Sequence, residues 1–379
     1  MGATRTAAAS RSFELPVDRW HRATELQICS AGRPHMLAFH LSWLSFFGTF
    51  FSTFAAAPLM PYIAASLRLD RAAIALANSA SVGGSVLSRL VVGYLVDTRG
   101  PRRVMSGLLL GTIPPIIGMM FVTDASGFTT CRFLIGLSMA SFVACQAWTT
   151  AMFAPSVVGL ANATAGGWGN VGGGACNLLM PFAFVLARWL LGDDDAGWRA
   201  CFVLPAVLHF GLGLLTLKGR DLPDGNLDEL EAKGLRARAD GGRVLRLGLS
   251  NVNCWILTVL YGLSFGVELT VTNEAALYFH EYHALPVPLA GLLASTFGLM
   301  NLFARSLGGV ASDAAARVAG GARGRIGVLA CAQLLEGLAC VGLGRATLGM
   351  PLPAQGRSAA SVGWLTVFSL WLQMAEGAT

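Results

Sequence analysis

Charged side chains are scarce in this 379-residue sequence: Asp, Glu, Lys and Arg make up 13% of it, whereas soluble domains usually carry about 25%. So few charges cannot cover the surfaces of the two or three soluble domains that the length would allow. The net charge of +6 is also modest and does not favour a soluble nucleic-acid-binding protein. The composition therefore excludes most soluble classes of protein.

Motifs for metal, disulfide and nucleotide-binding sites are missing as well. The eight cysteines are scattered, mostly within apolar runs, and form neither a CxxC pair nor a Cys/His cluster, so we expect neither a disulfide framework nor a zinc site. HExxH and Walker motifs are absent, so an enzyme, a metal centre or a bound cofactor is not expected. Residues 1–34 mix charges and lack the apolar segment of a cleavable signal, so the first membrane helix would act as the insertion signal.

Long apolar runs dominate the sequence, in which apolar residues make up 54% and the mean hydropathy is +0.59. Runs of about 18 or more residues can cross the hydrocarbon core as α-helices, and they lack the alternation of membrane β-strands. The sequence therefore predicts an all-α polytopic membrane protein with ten countable helices. The predicted helices span 37–64, 73–96, 104–123, 128–153, 157–187, 199–217, 252–280, 288–312, 325–344 and 361–375.

Basic residues cluster on one side of the predicted helices. They are concentrated in the N-terminal tail and in segments 99–103, 218–250 and 317–325, whereas the opposite loops are short and contain the acidic run 193–195. The positive-inside rule then predicts that the N-terminus and the central segment are cytoplasmic. The predicted organisation is a cytoplasmic tail over 1–36, a six-helix half over 37–217, a cytoplasmic loop over 218–250 and a C-terminal half over 251–379.

An internal repeat relates the two halves. The pattern Arg-x3-Gly-x3-Asp occurs at Arg89 in the second predicted helix and at Arg305 in the eighth, with an offset of 216 residues at all three positions. The same offset places the start of the first helix on that of the seventh, which predicts two six-helix halves with a pathway between them. Because only four helices follow the central loop, we expect the last two helices of this design to be missing from the sequence.

The two repeated arginines are candidate ligands for a small anion. An arginine in the middle of a membrane helix costs at least ~2.5 kcal/mol on insertion scales, so it normally faces a cavity or a partner. Arg89 and Arg305, at equivalent positions in two halves, would face each other across the pathway. Because a guanidinium is planar, always charged and offers a fork of donors, the pair suits a flat oxyanion. The alternative is that each arginine pairs with a carboxylate elsewhere or reaches to water.

A loop signature follows the first of these arginines. Residues 93–103, Gly-Tyr-Leu-Val-Asp-Thr-Arg-Gly-Pro-Arg-Arg, resemble the loop motif of the major facilitator superfamily, and residues 309–313 are a weaker second copy. In that superfamily the loop is a conformational gate, so the resemblance implies gating and not substrate binding. The residues concerned are Gly93, Asp97, Arg99, Arg102, Gly309 and Asp313.

A glycine-rich stretch in the fifth predicted helix makes the resemblance more specific. Residues 165–174 contain six glycines and Asn170; close helix packing accounts for most of the glycines. The stretch looks like the signature of the nitrate/nitrite porter family, and 46–47, 55–58 and 261–270 resemble its plant and algal high-affinity nitrate transporters. The resemblance extends over about residues 35–379. It implies that nitrate contacts Arg89, Arg305, Asn170, Tyr261, Phe265 and Phe47.

The resemblance implies a transporter of nitrate, with nitrite as a second candidate, that works by alternating access in the plasma membrane. It also favours proton-coupled uptake over nitrate/nitrite exchange, which the sequence itself does not decide, and it allows for a small single-pass accessory membrane protein. Because an unpaired carboxylate within a membrane helix is costly, Glu268 is the candidate proton carrier and Glu274 a weaker one. Three alternatives stay open: a carrier of another small anion, a nitrate sensor without transport, and a structural ion pair for Glu268. For the aromatic residues the alternative is ordinary helix packing.

Overall fold

A computed structural model describes residues 13–236, 241–346 and 358–378. Parts of the predicted tail and central loop, residues 1–12 and 237–240, lie outside the described residues. Within the described ranges the chain is helical and has isolated β-bridges but no strand. Nine of the described helices are long and apolar enough to cross a membrane, so the prediction of an all-α polytopic membrane protein is confirmed.

Each predicted apolar run corresponds to one long helix, within a few residues at each end. The tenth, of 21 residues, is not among the nine spans, because it carries Gln373 and Glu376, which are buried inside the bundle. The helices are α1 (His35–Leu67), α2 (Arg71–Arg99), α3 (Pro101–Phe121), α4 (Ala125–Met152), α5 (Val158–Leu191), α6 (Asp194–Thr216), α7 (Val252–His283), α8 (Val287–Val318), α9 (Ala322–Arg345) and α10 (Ser358–Ala378).

Three helices begin at an aspartate that caps their first turn. The carboxylates of Asp70, Asp124 and Asp193 each accept a hydrogen bond at 2.7 Å from a backbone N–H three residues later, at the starts of α2, α4 and α6. These bonds satisfy N–H groups that have no partner inside the helix. All three caps lie on the side of the bundle where α2, α4 and α6 start.

The glycine-rich part of α5 packs against helices from both halves of the sequence. A Cβ at Gly172 would overlap the backbone carbonyl of Phe47 on α1, and a Cβ at Gly174 would lie 2.7 Å from the carbonyl carbon of Gly298 on α8. Side chains at these positions would force the helices apart, since real Cβ atoms do not approach backbone so closely. Small residues let membrane helices come into backbone contact, so this stretch fixes α5 between α1 and α8.

Segment 13–34 folds against one end of the bundle, which we call the N-terminal face. The N–H of Ala23 donates to the carbonyl of Met152 at the end of α4, at 2.9 Å, and His21 pairs with Asp224 after α6, at 2.6 Å. Two short helices, Leu227–Ala232 and Gly241–Leu249, lie between α6 and α7. The predicted division at 36, 217 and 250 stays a prediction.

Candidate functional site

Arg89 lies on α2 and has no ion-pair partner in the part of the chain that the structure describes. Its Nε and Nη2 atoms are buried and make no hydrogen bond there. The guanidinium carbon lies 4.7 Å from the ring centroid of Phe265 and 5.6 Å from that of Phe142. These cation–π contacts offset part of the cost of burying the charge. The Nε and Nη2 donors, however, can still bind an acceptor that is not one of the described residues.

Three aromatic rings form a stack beside Arg89. Tyr261 lies between Phe142, at 6.0 Å and 13°, and Phe265, at 5.4 Å and 19°, measured between ring centroids and ring planes. The hydroxyl of Tyr261 is buried and has no hydrogen-bond partner among the described residues. The stack therefore offers flat apolar walls together with one polar group, which is suited to a small planar polar ligand.

Arg305, the second repeated arginine, is 2% exposed on α8 and lies among carboxylates. Its Nη2 forms an ion pair with Glu376 of α10, and the same atom lies 4.0 Å from a carboxylate oxygen of Glu268 on α7. Arg305 lines a cavity together with Phe142 and Tyr261, and the ring of Phe142 also lies 5.6 Å from the guanidinium carbon of Arg89. The structure thus brings the two predicted arginines to one place but gives them different neighbours.

Glu268, 2% exposed, is held by amide groups from three helices. Its carboxylate accepts hydrogen bonds from Nδ2 of Asn170 at 3.2 Å, from Nδ2 of Asn301 at 3.2 Å and from Nε2 of Gln373 at 2.7 Å. Asn170, proposed from the sequence to bind an anion, therefore donates to a carboxylate of the protein itself. With Arg305 nearby, these donors compensate the charge of a carboxylate that membrane burial would otherwise strongly disfavour.

A cavity of about 240 Å³ lies beside these groups. Phe142, Tyr261, Arg305 and Glu376 form its inner part. From this inner part the cavity extends along α8 toward the N-terminal face. This is the side of the bundle where α2, α4, α6, α8 and α10 end. Polar residues at that end of its lining are Gln146, Asn162, Asp313 and Arg325.

The opposite side of the bundle is held closed by contacts between the halves. Arg132 on α4, 1% exposed, donates from Nη2 to Oδ1 of Asn78 on α2 and of Asn273 on α7, each at 2.8 Å. Asn78 in turn donates to Glu274 on α7 at 2.7 Å. The cavity and these contacts therefore lie on opposite sides of the Arg89–Arg305 level. Glu274, a weaker proton-carrier candidate, belongs to this closed side.

The predicted gating residues lie toward the N-terminal face. Gly93 and Asp97 line a separate cavity of about 460 Å³, which Arg89 also borders. The N–H of Arg102 donates to Asp221 at 3.0 Å, while Arg99 is exposed at the end of α2. Burial raises the pKa of Asp221, and the hydrogen bonds that its carboxylate accepts from backbone N–H groups oppose that shift.

The second copy of the gating motif lies at the end of α8. Asp313 pairs with Arg325 at 2.6 Å, and a Cβ at Gly309 would lie 3.2 Å from that of Ala163.

Phe47 is a predicted ligand whose ring the structure places away from the aromatic stack. Its ring stacks on Phe51 at 6.2 Å. The rings of α1 that reach the stack are Phe46, 5.3 Å from Phe142, and Phe50, 6.4 Å from Phe265.

Sequence reasoning missed several residues of the site. Phe142 could not be recognised from the sequence, because it is one apolar residue within an apolar run. Amides and a carboxylate within membrane helices, in contrast, can be recognised as candidate site residues. The missed polar residues are Asn301, Gln373 and Glu376.

A serine on α7 has the letter spacing of a hydrolase nucleophile, since residues 262–266 read Gly-Leu-Ser-Phe-Gly. The nucleophile motif requires a sharp turn between a strand and a helix. Ser264 instead lies inside the continuous helix Val252–His283 and donates to Glu336 at 3.3 Å. The match therefore carries no catalytic meaning.

Comparisons with known proteins identify the fold and the family of this chain. The sequence profile of the Major Facilitator Superfamily matches residues 42–378. Among solved structures, the xylose transporter XylE from E. coli in a partially occluded inward open conformation aligns with a TM-score of 0.64 at 14% identity, covering 91% of this chain and 83% of that one. A mutant of the nucleoside transporter NupG aligns with a TM-score of 0.60 at 14% identity, covering 90% of this chain and 88% of that one. These likenesses establish the fold.

Relatives in plants and algae are much more similar in sequence. The chain is 40% identical over 377 residues to high affinity nitrate transporter 2.5 of Arabidopsis thaliana, covering 99% of this chain and 73% of that protein. It is 38% identical over 380 residues to nitrate transporter 2.2 of Chlamydomonas reinhardtii, covering 98% and 71%. The resemblance seen in the motifs is confirmed: the chain belongs to the Major Facilitator Superfamily and, within it, to the family of plant and algal high-affinity nitrate transporters.

Proposed function

We propose that this chain carries nitrate across a membrane by alternating access and that the anion binds between Arg89, Arg305 and the stacked rings. The observation that carries the proposal is the buried guanidinium of Arg89, which has no acidic partner among the described residues. A buried unpaired cation is costly, and a bound anion removes that cost. The family of the chain supports nitrate as that anion.

Nitrate is flat and carries its charge on three oxygens, so two of them can accept the parallel N–H donors of one guanidinium. One of its faces can lie against the stacked rings of Tyr261 and Phe265, whose planes are 19° apart. The Tyr261 hydroxyl can donate to an oxygen. A more strongly hydrated or tetrahedral oxyanion fits against a flat apolar surface poorly, which makes the aromatic stack the proposed basis of selectivity.

Like charges at Arg89 and Arg305 supply a mechanism for coupling binding to movement. The two guanidinium groups share Phe142 as a neighbour, so without substrate their like charges repel each other, whereas an anion between them attracts both halves of the molecule. Closure around the anion then requires that the Arg132–Asn273 contact on the opposite side open in turn. We assign the loop residues Gly93, Asp97, Arg99, Arg102, Gly309 and Asp313 to the matching closure at the N-terminal face.

Protons are the proposed driving ion. We place the N-terminal face in the cytoplasm, from the positive-inside pattern, and the protein in the plasma membrane. Inward movement of an anion then opposes a negative-inside potential by about 2.3 kcal/mol per charge and 100 mV, so at least two protons must accompany each nitrate to make the cycle electrically favourable. Glu268, which contacts three amides and lies near Arg305, is the proposed carrier of one of these protons.

Reconstitution of the chain in liposomes tests this function. With an acidic exterior, we expect saturable uptake of ¹⁵N-nitrate that excess unlabelled nitrate abolishes and an equal concentration of sulfate leaves unchanged. Uptake restored only by a small single-pass membrane protein would identify the accessory partner. Nitrate binding without flux would assign the chain to the sensors, and uptake of another anion that nitrate does not inhibit would assign it to a different carrier.

A further inference from the structure

Arg305 already holds an anion of the protein itself, the carboxylate of Glu376. We propose that Glu376 competes with nitrate for Arg305, so that nitrate gains this guanidinium when Glu376 takes up a proton. This inference rests on the proposed function and assigns Glu376 a role in it. The step is a proton transfer to one carboxylate oxygen, after which the neutral carboxyl group no longer pairs with the guanidinium.

The competition follows from the shape of the two ligands. A carboxylate and a nitrate each present two oxygens in one plane, and both suit the same pair of guanidinium N–H donors. The ion pair with Glu376 engages Nη2 of Arg305, an atom that lies 4.0 Å from Glu268 as well. Nitrate therefore cannot bind Arg305 bidentately through this edge while the Glu376 carboxylate occupies it.

Of the two carboxylates near Arg305, Glu376 is the one that can exchange with substrate. Glu268 accepts hydrogen bonds from Asn170, Asn301 and Gln373, so its displacement would leave several amides without an acceptor. Glu376 instead lines the same cavity of about 240 Å³ as Tyr261 and Arg305. An anion that arrives through this cavity meets Glu376 at the arginine.

Charge balance sets the number of protons that the site takes up together with bound nitrate. The two arginines and the two glutamates Glu268 and Glu376 sum to zero, so the site without substrate is electrically neutral. Added nitrate would leave one excess negative charge in a region of low dielectric, where it is costly. Uptake of one proton by Glu376 restores neutrality and frees the guanidinium in the same step.

The neighbours of Glu376 on every packed helix are consistent with this role. Ionisable groups that share its surroundings are Arg305 and Asp313 on α8, Tyr261 and Glu268 on α7 and Arg325 on α9. The facing part of α5 presents Gly166 and Asn170. A Cβ at Gly377 would overlap the carbonyl of Arg305, so α10 and α8 are in backbone contact beside the ion pair. We therefore expect nitrate to replace the Glu376 carboxylate at Arg305 by protonation and movement of the Glu376 side chain, while the backbones of α8 and α10 stay in place.

Nitrate binding to the purified full chain at pH 5.5 and pH 7.5 tests the inference. Linkage of one proton changes the affinity by up to tenfold per pH unit, so we expect the wild type to bind nitrate about tenfold to a hundredfold more tightly at pH 5.5 than at pH 7.5. Glu376→Gln should bind tightly at both pH values. Glu336→Gln is the control, because it neutralises another buried glutamate that pairs with Ser264, and it should keep the wild-type pH dependence.

Calorimetry of nitrate binding to the wild type, in buffers of different ionisation enthalpy, provides a second measurement that does not depend on a variant folding. We expect uptake of about one proton per nitrate in the wild type and none in Glu376→Gln. Nitrate binding by the wild type without proton uptake, or an unchanged pH dependence in a folded Glu376→Gln, would overturn the role of Glu376 alone. Absence of nitrate binding at both pH values would overturn the proposed function and this inference with it.

Discussion

Arg89 and Arg305 occupy the same position in the two copies of the repeat, but their surroundings differ in charge. Arg89 lies against the rings of Phe142 and Phe265 and has no acidic partner in the described part of the chain. Arg305 has an ion pair with Glu376 and lies 4.0 Å from Glu268. The repeat therefore fixes where two cations meet, while the neighbouring helices decide which of them is neutralised before substrate arrives. In the proposed mechanism, Arg89 is left for the anion, and Arg305 links anion binding to uptake of a proton.

The largest expected difference between the two arginines is in stability. Arg305→Gln leaves the buried carboxylates of Glu268 and Glu376 without their cation, and loss of one partner of a buried pair costs about 3–5 kcal/mol. Arg89→Gln removes a buried cation that lacks an acidic partner, so its stability should equal or exceed that of the wild type. Thermal unfolding of the purified variants measures both. Equal destabilisation by the two substitutions would contradict the asymmetry, and Glu376→Gln added to Arg305→Gln should recover part of the loss.

Nitrate affinity, unlike stability, should depend strongly on Arg89. Arg89→Lys keeps the charge but removes the fork of donors, so we expect nitrate affinity to fall about 100-fold, or roughly 2.7 kcal/mol, with little change in unfolding temperature. Equilibrium binding of nitrate measures the loss. Arg188→Lys, at an exposed pair with Asp194, is the matched control and should bind like the wild type. High-affinity binding retained by Arg89→Lys would show that this arginine does not hold the anion.

The same contrast explains how much of the site could be predicted from the sequence. Hydropathy located all ten helices, and the repeat spacing located both arginines, because each signal is local or periodic. The bond from Asn170 to Glu268 joins residues 98 positions apart, and it depends on how α5 crosses α7. Phe142 is one of 21 phenylalanines, and its place beside Arg89 follows from packing alone.

Aromatic residues provide a smaller test of the Arg89 environment. Phe265→Leu removes a ring 4.7 Å from the guanidinium carbon and one wall of the stack, and cation–π contacts of this kind contribute about 1–2 kcal/mol when desolvated. We expect nitrate affinity to fall about fivefold to thirtyfold. Phe47→Leu, whose ring stacks on Phe51, should change the affinity less than twofold. A larger effect at Phe47 than at Phe265 would favour the sequence-based assignment over the observed geometry.

The smallest effects are expected at the aspartates that complete the two copies of the repeat. Asp313→Asn breaks the half-exposed pair with Arg325, and exposed pairs contribute about 0–1 kcal/mol to stability. Asp97→Asn, at the equivalent position, removes a carboxylate that borders the cavity beside Arg89. Because neither aspartate contacts the arginine of its own repeat, both variants should bind nitrate within about twofold of the wild type while lowering the rate of uptake. A loss of affinity comparable to that of Arg89→Lys at either position would mean that these residues belong to the anion site and not to its gate.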